Sequence, residues 1–280
     1  YNYRKSDCRL NMIVARLFPK NSKNFKHAQP FFKKMGDVMD SGGWVRLFSF
    51  WTLIVAGIVL NMDFENRYVY WNWSGWEYGL LKLLIASIVY FYFLNPNNLW
   101  VIGSKKLNSQ EIGFHVIVAF ILISYGNIST NSLIPHFLGI FPYLLAFLSF
   151  LLVFQFPLEL DQEKGVWYHS EWSNTKLYFS LSLFLIILSV VIGIYLDDPI
   201  MSTAGAVTVA FPLVGLIWPN HVRHLQRARF FPLFTFAMFL CVRAPWFLIP
   251  LCLLFFVIRT INYFRFGIVH PSFGVDFLEE

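Results

Sequence analysis

Long apolar segments, separated by short polar connections, cover most of this chain of 280 residues. An α-helix needs about 20 apolar residues, at 1.5 Å each, to cross the hydrocarbon core of a bilayer, and several of the segments approach or reach that length. A transmembrane β-barrel would instead alternate apolar and polar residues over strands of about ten residues. Because the apolar segments here are continuous, the sequence predicts an all-α protein that crosses the membrane several times.

The composition excludes a soluble globular domain. Hydrophobic residues make up 57% of the chain and charged residues 14%, whereas a soluble domain carries about 25% charged residues. The three cysteines (Cys8, Cys241 and Cys252) are scattered, and they form neither a disulfide framework nor the spacing of a metal site. We expect no cleavable signal peptide, because the charged N-terminal part is long and the first apolar segment comes late.

The apolar pattern predicts a transmembrane helical bundle of about eight spans, between seven and nine. The first six predicted spans are 44–60, 78–94, 112–125, 133–156, 177–196 and 204–218. The apolar stretch 230–258 follows, and it is too long for one straight span. We expect it to turn at Arg243-Ala-Pro245 into two short spans, with one kinked helix as the alternative. Asp197-Asp198-Pro199 is expected to end the span before it, and Asp40-Ser-Gly-Gly43 to form a turn before the first span.

Basic residues are concentrated before the first predicted span. A basic segment in this position is typical of the cytoplasmic or matrix side, where it lies against anionic lipid headgroups. We therefore predict a basic N-terminal arm at the membrane surface (1–43), a transmembrane helical domain (44–262) and a short C-terminal tail (263–280), with both termini on that side. Within the arm, 10–18 is expected to form a short amphipathic helix. Nucleic-acid binding is the alternative use of such charge and is not expected in so apolar a chain.

Two further connections carry residues that bind ligands in other proteins. The connection 61–79 is rich in tryptophan and tyrosine, which predicts an interfacial aromatic belt, with a surface for ligand stacking as the alternative. The connection 219–229 is predicted to be a basic loop containing His221 and His224. These histidines would share a face if the segment were helical, but a metal site would need a third ligand that the sequence does not supply.

The connection 156–172 gathers acidic residues between two predicted spans. It carries Glu159, Asp161, Glu163 and Glu171. A polar, acidic connection is costly to place anywhere but at the membrane surface or in a wet cavity. It is therefore either a solvated connector or the mouth of a site.

The acidic connection and a second, turn-rich connection at 95–111 resemble the Asp-rich loops of the UbiA superfamily of membrane prenyltransferases. Members of that family are helical bundles in which two cytoplasmic Asp-rich loops hold Mg²⁺ and a prenyl diphosphate. In LELDQEKGVWYHSEWSNTKLYF, Asp161 matches the last aspartate of the second motif, Gly165 the glycine after it, and 174–176 the start of the next helix. The stretches NPNN (95–98) and VIGSKKLNSQE (101–111) resemble the latter half of the first loop.

The chain departs from the family pattern at the acids that hold the metal. No Asp or Glu lies between Glu77 and Glu111, so the first motif is absent, and Pro157 stands where another aspartate is expected. The segment 112–156 also has room for fewer helices than the four that the family places between its loops. Because Mg²⁺ binds several hard oxygen ligands, a single acidic loop would not hold the usual pair of ions.

The resemblance and its departures imply a catalytically degenerate, UbiA-like protein. It would act as a lipid- or quinone-binding structural subunit of a larger membrane complex, without a required cofactor. Its expected partners are membrane lipids, other membrane protein subunits and an isoprenoid or quinone lipid, and no nucleic acid.

Two alternatives remain open. The first is an active, Mg-dependent membrane prenyltransferase, in which acids bind Mg²⁺ and diphosphate while arginines bind phosphate; contact with lipid headgroups is the simpler role for the arginines. The residues of that site would be Glu159, Asp161, Glu163, Arg223, Arg227 and Arg229. The second alternative is a transporter, for which His136 and Arg243 are the clearest candidates among the polar residues inside predicted spans.

Overall fold

The computed structural model describes residues 12–62, 71, 73–103, 105–128, 137–155, 159–161, 166–168 and 174–267, with the main chain only for 159–161, 166–168 and Arg223. Most of these residues are helical, which confirms the predicted all-α bundle. The helices are α1 (Ile13–Leu17), α2 (Lys23–Gly42), α3 (Trp44–Leu60), α4 (Trp76–Val89), α5 (Ser109–Asn127), α6 (Phe137–Val153), α7 (Thr175–Tyr195), α8 (Pro199–Ile217), α9 (Val222–Arg243) and α10 (Leu248–Phe266). A two-stranded antiparallel ribbon, β1 (Glu159–Asp161) and β2 (Val166–Tyr168), lies between α6 and α7.

The apolar helices make this chain an integral, multi-pass membrane protein. Among the residues that the structure describes, six helices are long and apolar enough to cross a membrane: α4 with its π-helical end Tyr90–Leu94, α5, α7, α8, α9, and α10 with the 3-10 turn before it. A seventh span arises if α2 and α3 count as one broken span, and α6 is a shorter apolar helix of 17 residues. The helices α3 to α10 correspond in order to the eight predicted spans. The orientation of the chain in the membrane stays a prediction.

The helix of the third span is longer than the apolar stretch from which the span was predicted. It was expected over 112–125, but α5 runs from Ser109 to Asn127. Its first turn is polar and is held by a capping box, in which the Asn108 side chain accepts the Glu111 N–H (2.8 Å) and the Glu111 carboxylate accepts the Asn108 N–H (2.9 Å). Such a box satisfies two main-chain donors that the first turn of a helix leaves without partners.

Two expectations for the last third of the chain are wrong. The connection 219–229 was predicted as a loop, but α9 begins at Val222 and continues to Arg243. Consequently the two limbs around Pro245 are not short, because α9 has 22 residues and α10 has 19. The predicted break itself is confirmed, since α9 ends at Arg243 and Pro245–Phe247 forms a 3-10 turn before α10.

The N-terminal arm is more helical than expected. Its first helix, α1, lies within the predicted segment 10–18, but the 20-residue α2 was not predicted. The Ser22 hydroxyl caps the start of α2 by accepting the Phe25 N–H (3.1 Å). The predicted turn at the end of the arm is reduced to Gly43, which has a φ of 62°. That left-handed conformation ends helices and suits glycine, which has no Cβ to clash.

The described part of the chain forms two compact units, and the first combines residues 12–44 with residues 250–267. Aromatic rings form its core. The Phe264 ring stacks on Phe32 (centroids 4.2 Å apart) and on Phe25 (5.2 Å), and the Tyr263 hydroxyl donates a hydrogen bond to the Phe18 carbonyl oxygen (2.6 Å). The end of α10, which continues past the start of the predicted tail, is therefore packed within this unit.

The second unit contains the described residues between 45 and 249. Here α7 packs against α6 and α8, α8 packs against α9, and α5 packs against α6. Serine hydroxyls join the helices: Ser149 Oγ donates to the Ser182 carbonyl oxygen (2.8 Å), Ser182 Oγ donates to the Ser149 carbonyl oxygen (3.0 Å), and Ser189 Oγ donates to the Pro142 carbonyl oxygen (2.6 Å). Hydrogen bonds of this kind and close packing hold transmembrane helices together, because burying apolar side chains gains little in lipid.

The closest approach of α3 and α5 tests this packing. A Cβ added at Gly57 on α3 would lie 2.0 Å from the carbonyl oxygen of Ile123 on α5. A Cβ added at Gly113, on α5, would meet nothing within 4 Å. We expect Gly57→Ala to lower the free energy of unfolding by about 2 kcal/mol, because the two main chains must separate. The measurement is unfolding by SDS in mixed micelles, with Gly113→Ala as the control, which should lose nothing. Equal stability of the two variants would contradict the close helix contact.

Candidate functional site

The connection between α4 and α5 (95–108) is one of the two segments that resemble the family loops, and it is folded into the second unit. Trp100 is fully buried, and Val101, Ile102 and Leu107 are buried with it. The Trp100 ring stacks on Phe147, with centroids 5.9 Å apart. These four side chains make the described part of the connection contribute to the buried core of the second unit.

Arg46 and His115 bind the main chain of this connection. Arg46, at the start of α3, donates to the Trp100 carbonyl oxygen (2.9 Å) and to the Asn95 side-chain oxygen (3.2 Å). His115, on α5, accepts the Val101 N–H at Nε2 (3.2 Å). Because that nitrogen is an acceptor, the ring proton is on Nδ1, which lies 2.7 Å from the carbonyl oxygen of Glu111.

Gln155, two residues after the end of α6, and Arg229, on α9, bind the same connection. Gln155 Oε1 accepts the Leu107 N–H (2.8 Å). Arg229 Nη2 lies 3.5 Å from the Gly103 carbonyl oxygen, and its guanidinium carbon lies 5.2 Å above the Phe154 ring. Together with Arg46 and His115, these side chains fix a connection that the sequence had suggested as half of a diphosphate site.

The predicted phosphate-binding arginines all lie in the first eight residues of α9, but they have different surroundings. Arg229 is half-buried against 95–108, whereas Arg227 is exposed. For Arg223 only the main chain is described. The nearby His221 and His224 rings lie 4.1 Å apart, as expected for a helical segment, and no third ligand joins them to form a metal site among the described residues.

The acidic connection contains the short ribbon. Glu159 and Asp161 lie in β1, where Glu159 pairs with Tyr168 and Asp161 with Val166 across the ribbon. Glu163 and Gly165 fall between the strands and lie outside the described residues, as do His136 and Glu171. The expected start of the next helix is confirmed, because α7 begins at Thr175.

Lys82 is a buried polar residue that the sequence analysis did not single out. It lies on α4 within an apolar run, and its ammonium group donates to the carbonyl oxygens of Tyr125 (2.9 Å), Gly126 (2.7 Å) and Ile128 (2.5 Å). These carbonyls are at the C-terminal end of α5, where a helix leaves main-chain acceptors without partners. The sequence could have indicated this residue, because a charged side chain within a predicted span needs a nearby partner.

A second buried polar cluster joins α6, the start of α8 and the end of α9. It consists of Tyr143, Asp198 and Arg243, each at most 4% exposed. Asp198 Oδ1 caps α8 by accepting the N–H groups of Ile200 (2.8 Å) and Met201 (3.0 Å). Within the described part of the chain, neither Asp198 Oδ2 nor the Tyr143 hydroxyl has a hydrogen-bond partner.

Arg243, a candidate residue of the transporter alternative, is close enough to the Asp198 carboxylate for their opposite charges to interact. Burial raises the pKa of the Asp198 carboxyl, while the main-chain donors of Met201 and Ile200 and the Arg243 charge oppose that rise. The cluster can hold a proton at Asp198 more readily than an exposed aspartate could.

The comparisons with known proteins add no relative. No family model matches the chain, and neither a search of curated proteins nor a search of solved structures found a match. The resemblance to the UbiA superfamily therefore stays a prediction from the two connections.

Proposed function

We propose that this protein is a non-catalytic structural subunit of a larger membrane complex, and that it binds a lipid or a quinone. The observation that supports the proposal is that the polar side chains around 95–108 form hydrogen bonds to this connection. Arg46, His115, Gln155 and Arg229 all bind the main chain or side chains of that connection. These groups serve the fold.

A diphosphate site makes a different demand on such groups. It needs cations and N–H donors that point into an open site and meet the phosphate oxygens. If Gln155 turned away, the buried Leu107 N–H would lose its partner, which costs about 1–3 kcal/mol for a buried donor. The same reasoning applies to the Val101 N–H and His115. This cost favours a connection that keeps its conformation.

The binding of lipid or partner helices is supported by the outward faces of the spans. On α4 and its π-helical end, large apolar side chains point outward, and Tyr92 is 83% exposed. The others on this face include Leu84, Ile88 and Phe93. Such a face contacts acyl chains, an isoprenoid lipid or the spans of another subunit.

An active Mg-dependent prenyltransferase is the second candidate. It is favoured by the ribbon, which places Glu159 and Asp161 on one strand directly before Glu163. If Mg²⁺ bound there, it would bridge to the diphosphate and stabilise the leaving group. The acids would hold the ion, and Arg223 and Arg227 would remain as phosphate ligands.

An assay of prenyl transfer with added Mg²⁺ and prenyl diphosphate separates the two candidates. The proposal predicts no transfer above background, with the wild type equal to Asp161→Asn and Glu163→Gln. Mg-dependent transfer that is lost in both variants would establish the transferase and contradict the proposal. Stability of each variant in detergent serves as the control for folding.

A further inference from the structure

The outward face of α2 is strongly basic. Its opposite face packs inward, with Phe25 and Met39 buried. The outward face carries four exposed lysines: Lys23, Lys26, Lys33 and Lys34. With 3.6 residues per turn, Lys23 and Lys34 lie near the middle of this face, and Lys26 and Lys33 share one edge.

The other edge of the same face is apolar. Phe31 is 66% exposed and Val38 is 59% exposed, and their spacing of seven residues places them on one line along the helix. An amphipathic helix with lysines beside exposed apolar side chains is typical of segments that lie in the membrane interface. In such helices the apolar side chains reach the acyl boundary, and the lysines meet the headgroups.

The two acidic residues of α2, Asp37 and Asp40, are both bound by one arginine. Arg265, near the end of α10, contacts Asp37 Oδ1 through Nη2 (3.0 Å) and Asp40 Oδ2 through Nη1 (2.7 Å). Its side chain lies across Gly36, where an added Cβ would be 2.3 Å from Arg265 Cδ. Four lysines against two aspartates leave the face at a charge of +2, and Arg265 raises it to +3.

We propose that α2 is an interfacial helix that binds anionic phospholipid headgroups, and that Arg265 sets its preference for anionic lipid by masking Asp37 and Asp40. Each Lys or Arg near an anionic surface strengthens binding about five-fold, and an unmasked carboxylate opposes it. The Arg265 contacts therefore increase the positive charge of a face that is already cationic, because they mask its two carboxylates. This inference does not depend on whether the protein is a structural subunit or an enzyme.

The first test measures which lipids the full chain retains. The protein is placed in nanodiscs of equimolar phosphatidylcholine and phosphatidylglycerol and released for native mass spectrometry. The wild type should retain phosphatidylglycerol in excess. Replacing all four lysines by glutamine should abolish that excess, and replacing them by arginine should preserve it because the charge is unchanged. An excess that survives in the glutamine variant, as expected if an acidic protein covers this face, would overturn the proposal.

The second test isolates Arg265. Arg265→Gln should lower the excess of phosphatidylglycerol about five-fold, and adding Asp37→Asn and Asp40→Asn to it should restore the excess to at least the wild-type value. Asp37→Asn with Asp40→Asn alone, which leaves Arg265 in place across Gly36, should raise the excess. Failure of the triple variant to recover, or no gain in the double variant, would overturn the masking role.

Discussion

Lys82→Met is expected to lower the free energy of unfolding by about 4 kcal/mol. The Lys82 ammonium group donates to three carbonyl oxygens at the end of α5, and a hydrogen bond to a charged group contributes about 1.5–3 kcal/mol. Methionine preserves the length of the side chain but donates nothing, so these acceptors would lose their partner. Part of the loss is offset because the buried ammonium group no longer has to be desolvated. Unfolding by SDS in mixed micelles measures the change.

The control for Lys82 is an exposed lysine in another helix that is long and apolar enough to cross the membrane. Lys176 lies in the first turn of α7 and is exposed, so Lys176→Met should change the free energy of unfolding by no more than about 0.5 kcal/mol. If both variants lost the same small amount, Lys82 would not be holding the end of α5.

Arg243→Met is expected to lower the free energy of unfolding by about 3 kcal/mol, near the lower end of the range for breaking a buried ion pair. The reason is that the buried Asp198 carboxylate would lose its nearby positive charge. Asp198→Asn alone should cost much less, since asparagine also caps helices, and adding it to Arg243→Met should recover part of the loss. Arg227→Met, at an exposed position of the same helix, is the control. A double variant as unstable as Arg243→Met would contradict the electrostatic account.

The loss in Arg243→Met should also depend on pH. Burial raises the pKa of Asp198 above the value of about 3.9 in an unfolded chain, so the folded state binds the proton more tightly. The stability that this proton gives is fully present below the unfolded pKa, and it is lost as the pH rises through the folded pKa. Arg243 opposes the rise in the pKa of Asp198. Removing Arg243 should therefore raise the folded-state pKa further, so that the stabilising proton stays bound up to a higher pH. The variant should therefore regain stability when the pH is lowered from about 7 towards 4.

The sequence predicted the apolar helices well and the polar contacts poorly. The first span was placed at 44–60, where α3 lies, because its apolar run is uninterrupted. The prediction failed at polar turns: the first turn of α5 is capped by Asn108 and Glu111, and α9 begins among basic residues. Long basic side chains can extend from a helix to reach water or headgroups, so charge alone does not indicate a loop.

The contacts around 95–108 were unpredictable from the sequence, and the reason is a different one. Arg229 and Gly103 are 126 positions apart in the chain, and Arg46 and Trp100 are 54 apart. No local period links such pairs, because the packing of helices distant in sequence brings them together. In the same way, Lys82 could be recognised as needing a partner, but its three carbonyl acceptors on α5 became apparent only in the fold.

The native mass of the protein in mild detergent, with its co-purifying proteins identified, tests the proposed function most directly. A structural subunit should run as a complex with partners in fixed stoichiometry, and the complex should persist in Asp161→Asn, because that residue would have no catalytic role. A protein that runs alone, as a monomer or a homodimer, would contradict the account.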